Sequence, residues 1–316
     1  MKVKLGTRGS PLALVQANLI KKALETNCKD IDVEIITIKT LGDRKQGTPE
    51  ASNSDKQDWV HDLECAILDQ TIDFAVHSGK DVPAEIMAET ALLPAMPRAN
   101  PLDTFIGRLD PHTGVRLLFS ELPQGAKVGT ASLRRKAELL KLRPDLNIVE
   151  HRGNVRTRLA KMDKSDDIMG IVLACAGLER LGYDDLVHEP FNAEDMMPAV
   201  NQGILTVQFH ANNSALVLLL QELADNNTYA EWQAERAVVE LLEGDCKSAM
   251  SIFAQCLGES LTISSRVMSE DAQTSVHYRT TGNKVDAGIL GATVGKNLLE
   301  QGADKIIESS RNSPNK

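Results

Sequence analysis

The chain has 316 residues, 42% of them hydrophobic and 25% charged, which suits a globular protein of two or three domains rather than one. Its 35 Lys and Arg against 44 Asp and Glu leave a formal net charge of -9, which argues against general nucleic-acid binding. Aromatic residues make up only 3%, so the core must rest on Leu, Ile, Val, Ala and Met, and few rings are available to stack on bases.

No run of eighteen apolar residues exists, so no membrane span is expected. Met1 to Thr7 reads as a strand, not a signal peptide. Five cysteines (Cys28, Cys65, Cys175, Cys246, Cys256) are odd in number and scattered, a pattern that fits a reducing cytosol better than a disulfide framework. No cysteine pair has zinc-ligand spacing, and the seven histidines include neither H-x-H nor H-E-x-x-H, so no metal site is expected.

In chain order, Val3 to Thr7 is a strand. Ser10 fits an N-cap and Pro11 a first helical position, with Leu12, Val15, Leu19 and Ile20 as the apolar face. Val33 to Lys39 is the next strand. Gly42 to Asp58 is polar and aperiodic and reads as a long loop of the kind that forms lids or clamps. Phe74 to His77 is a strand ending in Ser78-Gly79-Lys80-Asp81. Lys127 to Gly129 leads through Thr130-Ala131-Ser132 into a helix from Leu133. Asn147 to Glu150 leads through Arg152-Gly153-Asn154 into a helix from Val155. Ile168 to Ala174 is a buried strand followed by a helix from Ala176 to Leu181. Strands alternating with helices imply parallel βαβ units and doubly wound sheets. The last third differs: a helix near Ala230 to Leu242, strands near Leu261 to Val267 and Ser275 to Thr280, and a helix from about Val285 to Gln301. That is a small α+β unit with a polar, frayed tail from Ser309.

One device recurs. A strand ends, a Ser/Thr/Gly turn follows, and a basic residue sits at the helix start: Thr7-Arg8-Gly9-Ser10, Ser78-Gly79-Lys80, Thr130-Ala131-Ser132-Leu133-Arg134-Arg135 and Arg152-Gly153-Asn154. Helix N-termini present unpaired N–H groups, and strand carboxyl ends face the ligand crevice of a doubly wound sheet. With guanidinium forks added, such ends make a site for a polyanion, carboxylates in particular. From Lys127 to Lys164, eleven Lys and Arg against four Asp and Glu give a net +7, so the rest of the chain carries -16. A solvated helix face laced with i,i+4 pairs is the blander reading of the same charges. Asp81 stands among basic and hydroxyl groups, where a carboxylate can stabilise a cation forming on a substrate. A turn residue ahead of Val82-Pro83 is an equal alternative. Cys246 in Gly244-Asp245-Cys246-Lys247 reads as a thiolate-prone turn cysteine or an ordinary buried one, with the sequence favouring the latter.

Taken together, eight ordered blocks resemble the porphobilinogen deaminase (hydroxymethylbilane synthase) family over nearly the whole chain. They are Thr7-Arg8-Gly9-Ser10-Pro11-Leu12-Ala13-Leu14 with Gln16; Ala75-Val76-His77-Ser78-Gly79-Lys80-Asp81-Val82-Pro83; Gly129-Thr130-Ala131-Ser132-Leu133-Arg134-Arg135; and Arg143-Pro144-Asp145-Leu146. Then come Arg152-Gly153-Asn154-Val155 with Thr157-Arg158-Leu159; Ala176-Gly177-Leu178 with Arg180-Leu181-Gly182; Pro198-Ala199-Val200 with Gln202-Gly203; and Glu243-Gly244 with Cys246. The resemblance implies an α/β fold of two doubly wound, periplasmic-binding-protein-like lobes plus a small C-terminal α+β domain. The first lobe would span 1–98 with 200–218, the second 99–199, and the cysteine-bearing domain 222–316.

It also implies a monomeric cytoplasmic transferase of heme biosynthesis that joins four porphobilinogen units head to tail, with loss of ammonia, into hydroxymethylbilane. A dipyrromethane primer would hang by a thioether from Cys246, keeping the growing chain in place. Asp81 and Lys80 match the family's catalytic pair, Asp81 stabilising the azafulvenium-like cation left when ammonia departs. Arg134, Arg135, Ser132, Thr130 and Ser78 match its cofactor contacts, with Asp81 and Lys80. Arg8, Ser10, Gln16, Arg152, Arg158, Arg180, Gln202 and Lys56 match its substrate contacts. No metal, nucleic-acid or membrane partner is implied.

The chain departs from the family pattern in places. The glycine-rich K-G-L-F segment is replaced by Lys56-Gln57-Asp58-Trp59, keeping the lysine and the aromatic; a second lysine nearby is Ser52. The glycine expected between Val200 and Gln202 is Asn201, Leu205 to His210 lacks the G-I-E-C-R pattern, and P-I-G after the cysteine is Ala249-Met250-Ser251. These changes bear on loop closure and primer assembly. The readings from other classes are a two-lobed binding protein for a carboxylate-rich ligand, and a non-catalytic or weakly active paralogue that binds a carboxylate-rich pyrrole. A covalent pyrrole adduct and turnover separate them.

Overall fold

The computed structural model describes residues 1–45, 57–110, 112–242 and 248–312. The chain opens with β1 (Lys2–Arg8), α1 (Pro11–Asn27), β2 (Asp32–Ile38), α2 (Leu41–Lys45), α3 (Gln57–Leu68), β3 (Phe74–Ser78) and β4 (Thr90–Ala95). Ser10 caps α1 by accepting from the Ala13 N–H at 3.3 Å, and Pro11 stands in its first turn, as the sequence suggests. The helix buries Gln16, Ala17, Ile20 and Leu24, whereas Leu12, Val15 and Leu19 are half-buried. The sheet-facing line is therefore rotated from the expected one, because the Gln16 amide is drawn inward to donate to Ser78 Oγ at 3.0 Å. Of the expected loop from Gly42 to Asp58, Gly42 to Lys45 is helical in α2 and the last two residues open α3; the rest lies outside the described residues.

A second sheet follows, from β5 (Asp103–Gly107), β6 (Lys127–Gly129), α4 (Leu133–Leu142), β7 (Asn147–Val149), α5 (Val155–Asp163), β8 (Ile168–Ala174) and α6 (Cys175–Arg180). Its order is β5-β8-β6-β7. The side-chain period of two sorts its core cleanly: Phe105 and Val172 face one cluster, Ile106, Ile171 and Leu173 the other. The chain then returns to the first sheet as β9 (Leu205–His210), giving the order β2-β1-β3-β9-β4. Strands β1, β2 and β3 run parallel, as do β6, β7 and β8. The expected parallel βαβ units are joined by strands of the opposite sense: β9 is antiparallel to β3 and β4, and β5 is antiparallel to β8. These are the strands next to the two crossings between the sheets, where the chain enters from the neighbouring lobe rather than from a βαβ connection.

Beyond α7 (Ser214–Gln221), α8 (Asn226–Leu242) leads to an antiparallel meander of β10 (Ala249–Leu257), β11 (Ser260–Met268) and β12 (Ser275–Asn283), followed by α9 (Ala287–Glu300) and α10 (Ala303–Asn312). Ala234, Val238, Ile252, Ile263, Val294 and Leu298 form its core. The chain end is more ordered than expected: α10 runs past Ser309, Ile306 and Ile307 are buried, and Ser310 Oγ donates to the Ile306 carbonyl at 3.1 Å. No helix among the described residues is long and apolar enough to cross a membrane.

The crossings, residues 97–102 and 198–204, are bonded to each other. Ala99 N donates to Gly203 O at 3.2 Å, Arg98 Nε to Gln202 O at 2.8 Å, and Gln202 Nε2 to Pro101 O at 2.7 Å. Gly203 has φ +90°, and a Cβ there would lie 2.3 Å from Ala99 O. Asn201, which stands where the resemblance leads one to expect glycine, has φ +56° and is buried. Asparagine is among the residues that tolerate this left-handed region, so the departure keeps the backbone that glycine would give. Asn201→Gly should leave unfolding free energy within about 1 kcal/mol, whereas the β-branched Asn201→Val should lower it by about 2 kcal/mol or more; urea denaturation checks both.

Candidate active site

The end of β1 and the segments that follow β3, β6 and β7 bring charged side chains together: Arg8 and Asp81 act on His77, Arg135 and Asp81 on Lys80, and Arg135, Arg152 and Asp81 on Arg158. Lys80 and Asp81 lie on the tight turn Gly79–Asp81 that follows β3. Asp81 is exposed, and no hydrogen bond or ion pair to the other described residues engages its carboxylate. With Arg8, Gln16, Trp59, His77 and Ser78 it lines a small cavity. Lys80 Nζ donates to Gln202 Oε1 at 3.2 Å. Burial, then the nearby Arg135, lower its ammonium pKa to about 8 against the pull of Asp81 and Asp103.

Asp103, the first residue of β5, holds the base of the cleft together. Arg134 Nη2 donates to its Oδ2 at 2.5 Å and Arg135 Nη2 to its Oδ1 at 2.8 Å. Gln202 Nε2 reaches the same Oδ1 at 3.1 Å. Burial would raise this carboxyl, but Arg134, Arg135 and Lys80 outweigh it and hold Asp103 well below the usual carboxylate range. The remaining terminal nitrogens also have partners, Arg134 Nη1 on Met197 O at 2.7 Å and Arg135 Nη1 on Val172 O at 2.8 Å. Arg135 Nε is buried and has no partner among the described residues.

The other basic residues differ in how much of their fork is spent. Arg8 gives Nη2 to Asp43 Oδ1 at 2.7 Å and lies 4.0 Å from the Trp59 ring centroid, while Thr40 Oγ1 also donates to Asp43 at 2.8 Å. Burial works against ionising Asp43, yet Arg8 and Thr40 keep its carboxyl low. Arg180 Nη2 donates to Gly203 O at 2.7 Å, so this residue braces a crossing. Arg152 is exposed and paired with Glu150. Arg158 spends Nε on Gly153 O at 2.7 Å, and its two terminal nitrogens have no partner among the described residues. Burial, then Arg135 and Arg152, lower its pKa to about 10, with Asp81 opposing. An arginine whose charged form is disfavoured by burial and then by neighbouring cations is one that ligand carboxylates can stabilise.

Hydroxyl groups frame the cations. Ser132 caps α4, accepting from Arg135 N at 3.4 Å, and Thr130 Oγ1 accepts from Ser132 N at 3.2 Å. Asn154 caps α5 through Thr157 N at 2.9 Å. Of the residues the sequence singles out, Lys56 and Cys246 lie outside the described residues. The sequence does not single out Asp103 or Asp43. Their signals are slight: one acid just ahead of the apolar run Thr104-Phe105-Ile106, and one in the polar Leu41-Gly42-Asp43-Arg44.

The family model described as "Porphobilinogen deaminase, dipyromethane cofactor binding domain" matches residues 3–217, and "Porphobilinogen deaminase, C-terminal domain" matches 229–300. The porphobilinogen deaminase of Trichlorobacter lovleyi is 39% identical over 97% of this chain and 96% of its own length. That of Geobacter sulfurreducens is 38% identical over 97% and 94%. Among solved structures, the periplasmic VFT2 domain of Bordetella pertussis BvgS aligns at 16% identity with a TM-score of 0.39, covering 71% of this chain and 86% of that one.

His77, next to Ser78 on β3, is buried with no partner for Nε2 among the described residues. Burial lowers its pKa to about 4, with Gln208 and Asp81 pulling the other way. An unfolded histidine protonates near 6.5. Between those values the unfolded chain binds the extra proton, so stability is full above about pH 6.5 and falls as the pH drops towards 4. Between pH 7 and pH 5 the native chain should lose about 2 kcal/mol more unfolding free energy than His77→Gln. Urea titrations at both pH values check this, and equal losses would refute it.

Proposed function

The chain belongs to the porphobilinogen deaminase family, and from that premise we propose that its cleft performs the stepwise deaminating condensation of four porphobilinogen molecules into hydroxymethylbilane. The observation that carries the assignment of residues is Asp81: a carboxylate free of protein partners, facing a surplus of guanidinium and ammonium groups. The domains are taken as 1–98 with 200–218, 99–199 and 222–316.

The residues present fit a dipyrromethane. Its acetate and propionate arms need cations with donors to spare, which Arg158 has at both terminal nitrogens. Its pyrrole N–H groups need an acceptor, which Asp81 supplies. Thr130, Ser132, Ser78 and Lys80 complete that set, and Cys246 would carry the thioether. When bound, the dipyrromethane supplies the free pyrrole carbon from which the chain is extended.

The protein's part is binding and charge control. Arg8, Arg152, Arg158 and Lys56 take up substrate carboxylates, and Ser10 and Gln16 contribute polar contacts beside Ser78. Arg134, Arg180 and Gln202 serve the same site through the frame they brace. As the aminomethyl C–N bond of porphobilinogen breaks and ammonia leaves with the bonding pair, positive charge spreads over the substrate pyrrole. Asp81 lowers the energy of that charge across a cleft where water does not screen it fully. Lys80, with its pKa near 8, can give a proton from Nζ to the departing amine and regain one near neutral pH.

The four cysteines described are unpaired, which supports a reducing, cytoplasmic setting, and the charge of -9 supports a chain without nucleic-acid partners. We take it to act as a monomer.

The intact mass of the denatured protein should exceed the sequence mass by two linked pyrrole units, and the excess should vanish in Cys246→Ser. A chain that stays unmodified after incubation with porphobilinogen would instead favour a binding paralogue. Asp81→Asn should keep the mass excess and lose at least about a hundredfold in turnover, measured by ammonia release.

A further inference from the structure

We infer that Arg236, on α8 of the third domain, is a positioning residue for Asp81; the inference rests on the catalytic reading of Asp81 above. A carboxylate that must meet a substrate cation cannot be spent on a protein donor, and the Asp81 side chain has no such bond among the described residues. Its place is therefore set by the backbone on either side. Ahead of it, Gly79 N donates to Ile204 O at 2.8 Å. A Cβ on Gly79 would stand 3.1 Å from Asn201 O and 3.2 Å from Ile204 O, so the turn is pressed against the crossing. Val82 N closes the turn on Gly79 O at 3.3 Å.

Behind Asp81 the chain is held from another domain. Arg236 Nη1 donates to Pro83 O and Nη2 to Ala84 O, each at 2.6 Å. One planar fork thus grips two successive carbonyls, which fixes direction as well as distance. The side chain is 7% exposed, and Glu240, one turn along the helix, steadies Nη2 at 3.2 Å. Arg236 is itself on a firm base. The preceding Glu235 is fully buried and takes Arg98 Nη1 at 2.7 Å and Ala254 N at 2.8 Å. Ala84 packs against the core of the third domain. The helix ends at Leu242, four residues before Cys246. The element that grips the Asp81 turn is thus the one that precedes, in sequence, the proposed attachment cysteine.

A double-mutant cycle tests this. Arg236→Lys and Arg236→Gln, each retaining some donor capacity, are combined with Asp81→Glu, and intact mass verifies the primer in every variant. In the native background each Arg236 change should lower kcat about tenfold or more with KM within about twofold, the signature of a displaced reacting group. In the Asp81→Glu background the same change should cost less than about twofold, since the carboxylate is already misplaced. Equal factors in both backgrounds, an unchanged kcat, or loss of fold in both Arg236 variants would overturn the positioning role. Unaltered turnover in Asp81→Glu alone would instead refute the catalytic reading of Asp81.

Discussion

One buried carboxylate shared by two adjacent arginines holds this molecule in its working shape. Asp103 is fully buried, and each oxygen receives a guanidinium nitrogen, while Gln202 adds a third donor. Burying such a charge is costly unless it is paired and bonded throughout, and here it is. The partners come from different parts of the chain: Arg134 and Arg135 from α4, Gln202 from the return crossing, and Asp103 from the end of the outward crossing. The knot therefore ties the second lobe to both crossings at once. Through Gln202 it also reaches Lys80, next to Asp81 on the first lobe.

The knot also decides which cations remain for a ligand. A cluster of bare guanidinium groups would repel itself apart, so the fold gives most of them partners. Arg134 and Arg135 share Asp103, Arg8 has Asp43, Arg180 has the Gly203 carbonyl and Arg152 has Glu150. What stays open to a ligand includes both terminal nitrogens of Arg158, those of the exposed Arg152 and the lone carboxylate of Asp81. Burial, then the nearby Arg135, lowers the pKa of both Lys80 and Arg158, and carboxylate-bearing pyrroles would favour their charged forms. The third domain contributes from outside the cleft. It grips the Asp81 turn through Arg236, the outward crossing through Glu235 and the Ala254 carbonyl, which accept from Arg98 Nη1 at 2.7 and 3.1 Å, and α4 through Arg266 and Ser251, which donate to Glu138 at 2.6 and 2.9 Å.

Local pattern made much of the fold legible. The apolar run Ile168 to Ala174 and the short Lys127 to Gly129 are strands with the expected bounds, and Ser10, Ser132 and Asn154 cap helices where a turn residue precedes an apolar period. What escaped depends on tertiary context. Strands β4, β5 and β10 carry weak local signals, since Pro94 interrupts the first, Asp103 opens the second, and the third mixes Ala, Ser and Gln among its apolar residues. The direction of β9 is fixed by the crossing, which no periodicity encodes. For the site, motif blocks marked the arginines and Asp81. Their partners lie far off in sequence, Asp43 from Arg8 and Asp103 from Arg134, so only folding reveals which forks are occupied. Asn201 reads as a lost glycine in sequence and as a preserved backbone angle in the structure.

The most direct measurement is equilibrium unfolding of Asp103→Asn beside the native chain, with turnover of porphobilinogen recorded on the same samples. Leaving two buried arginines with one neutral amide should cost about 3–5 kcal/mol and remove most of the turnover. A variant within about 1 kcal/mol of the native chain and equally active would contradict the dependence of the cleft on this carboxylate.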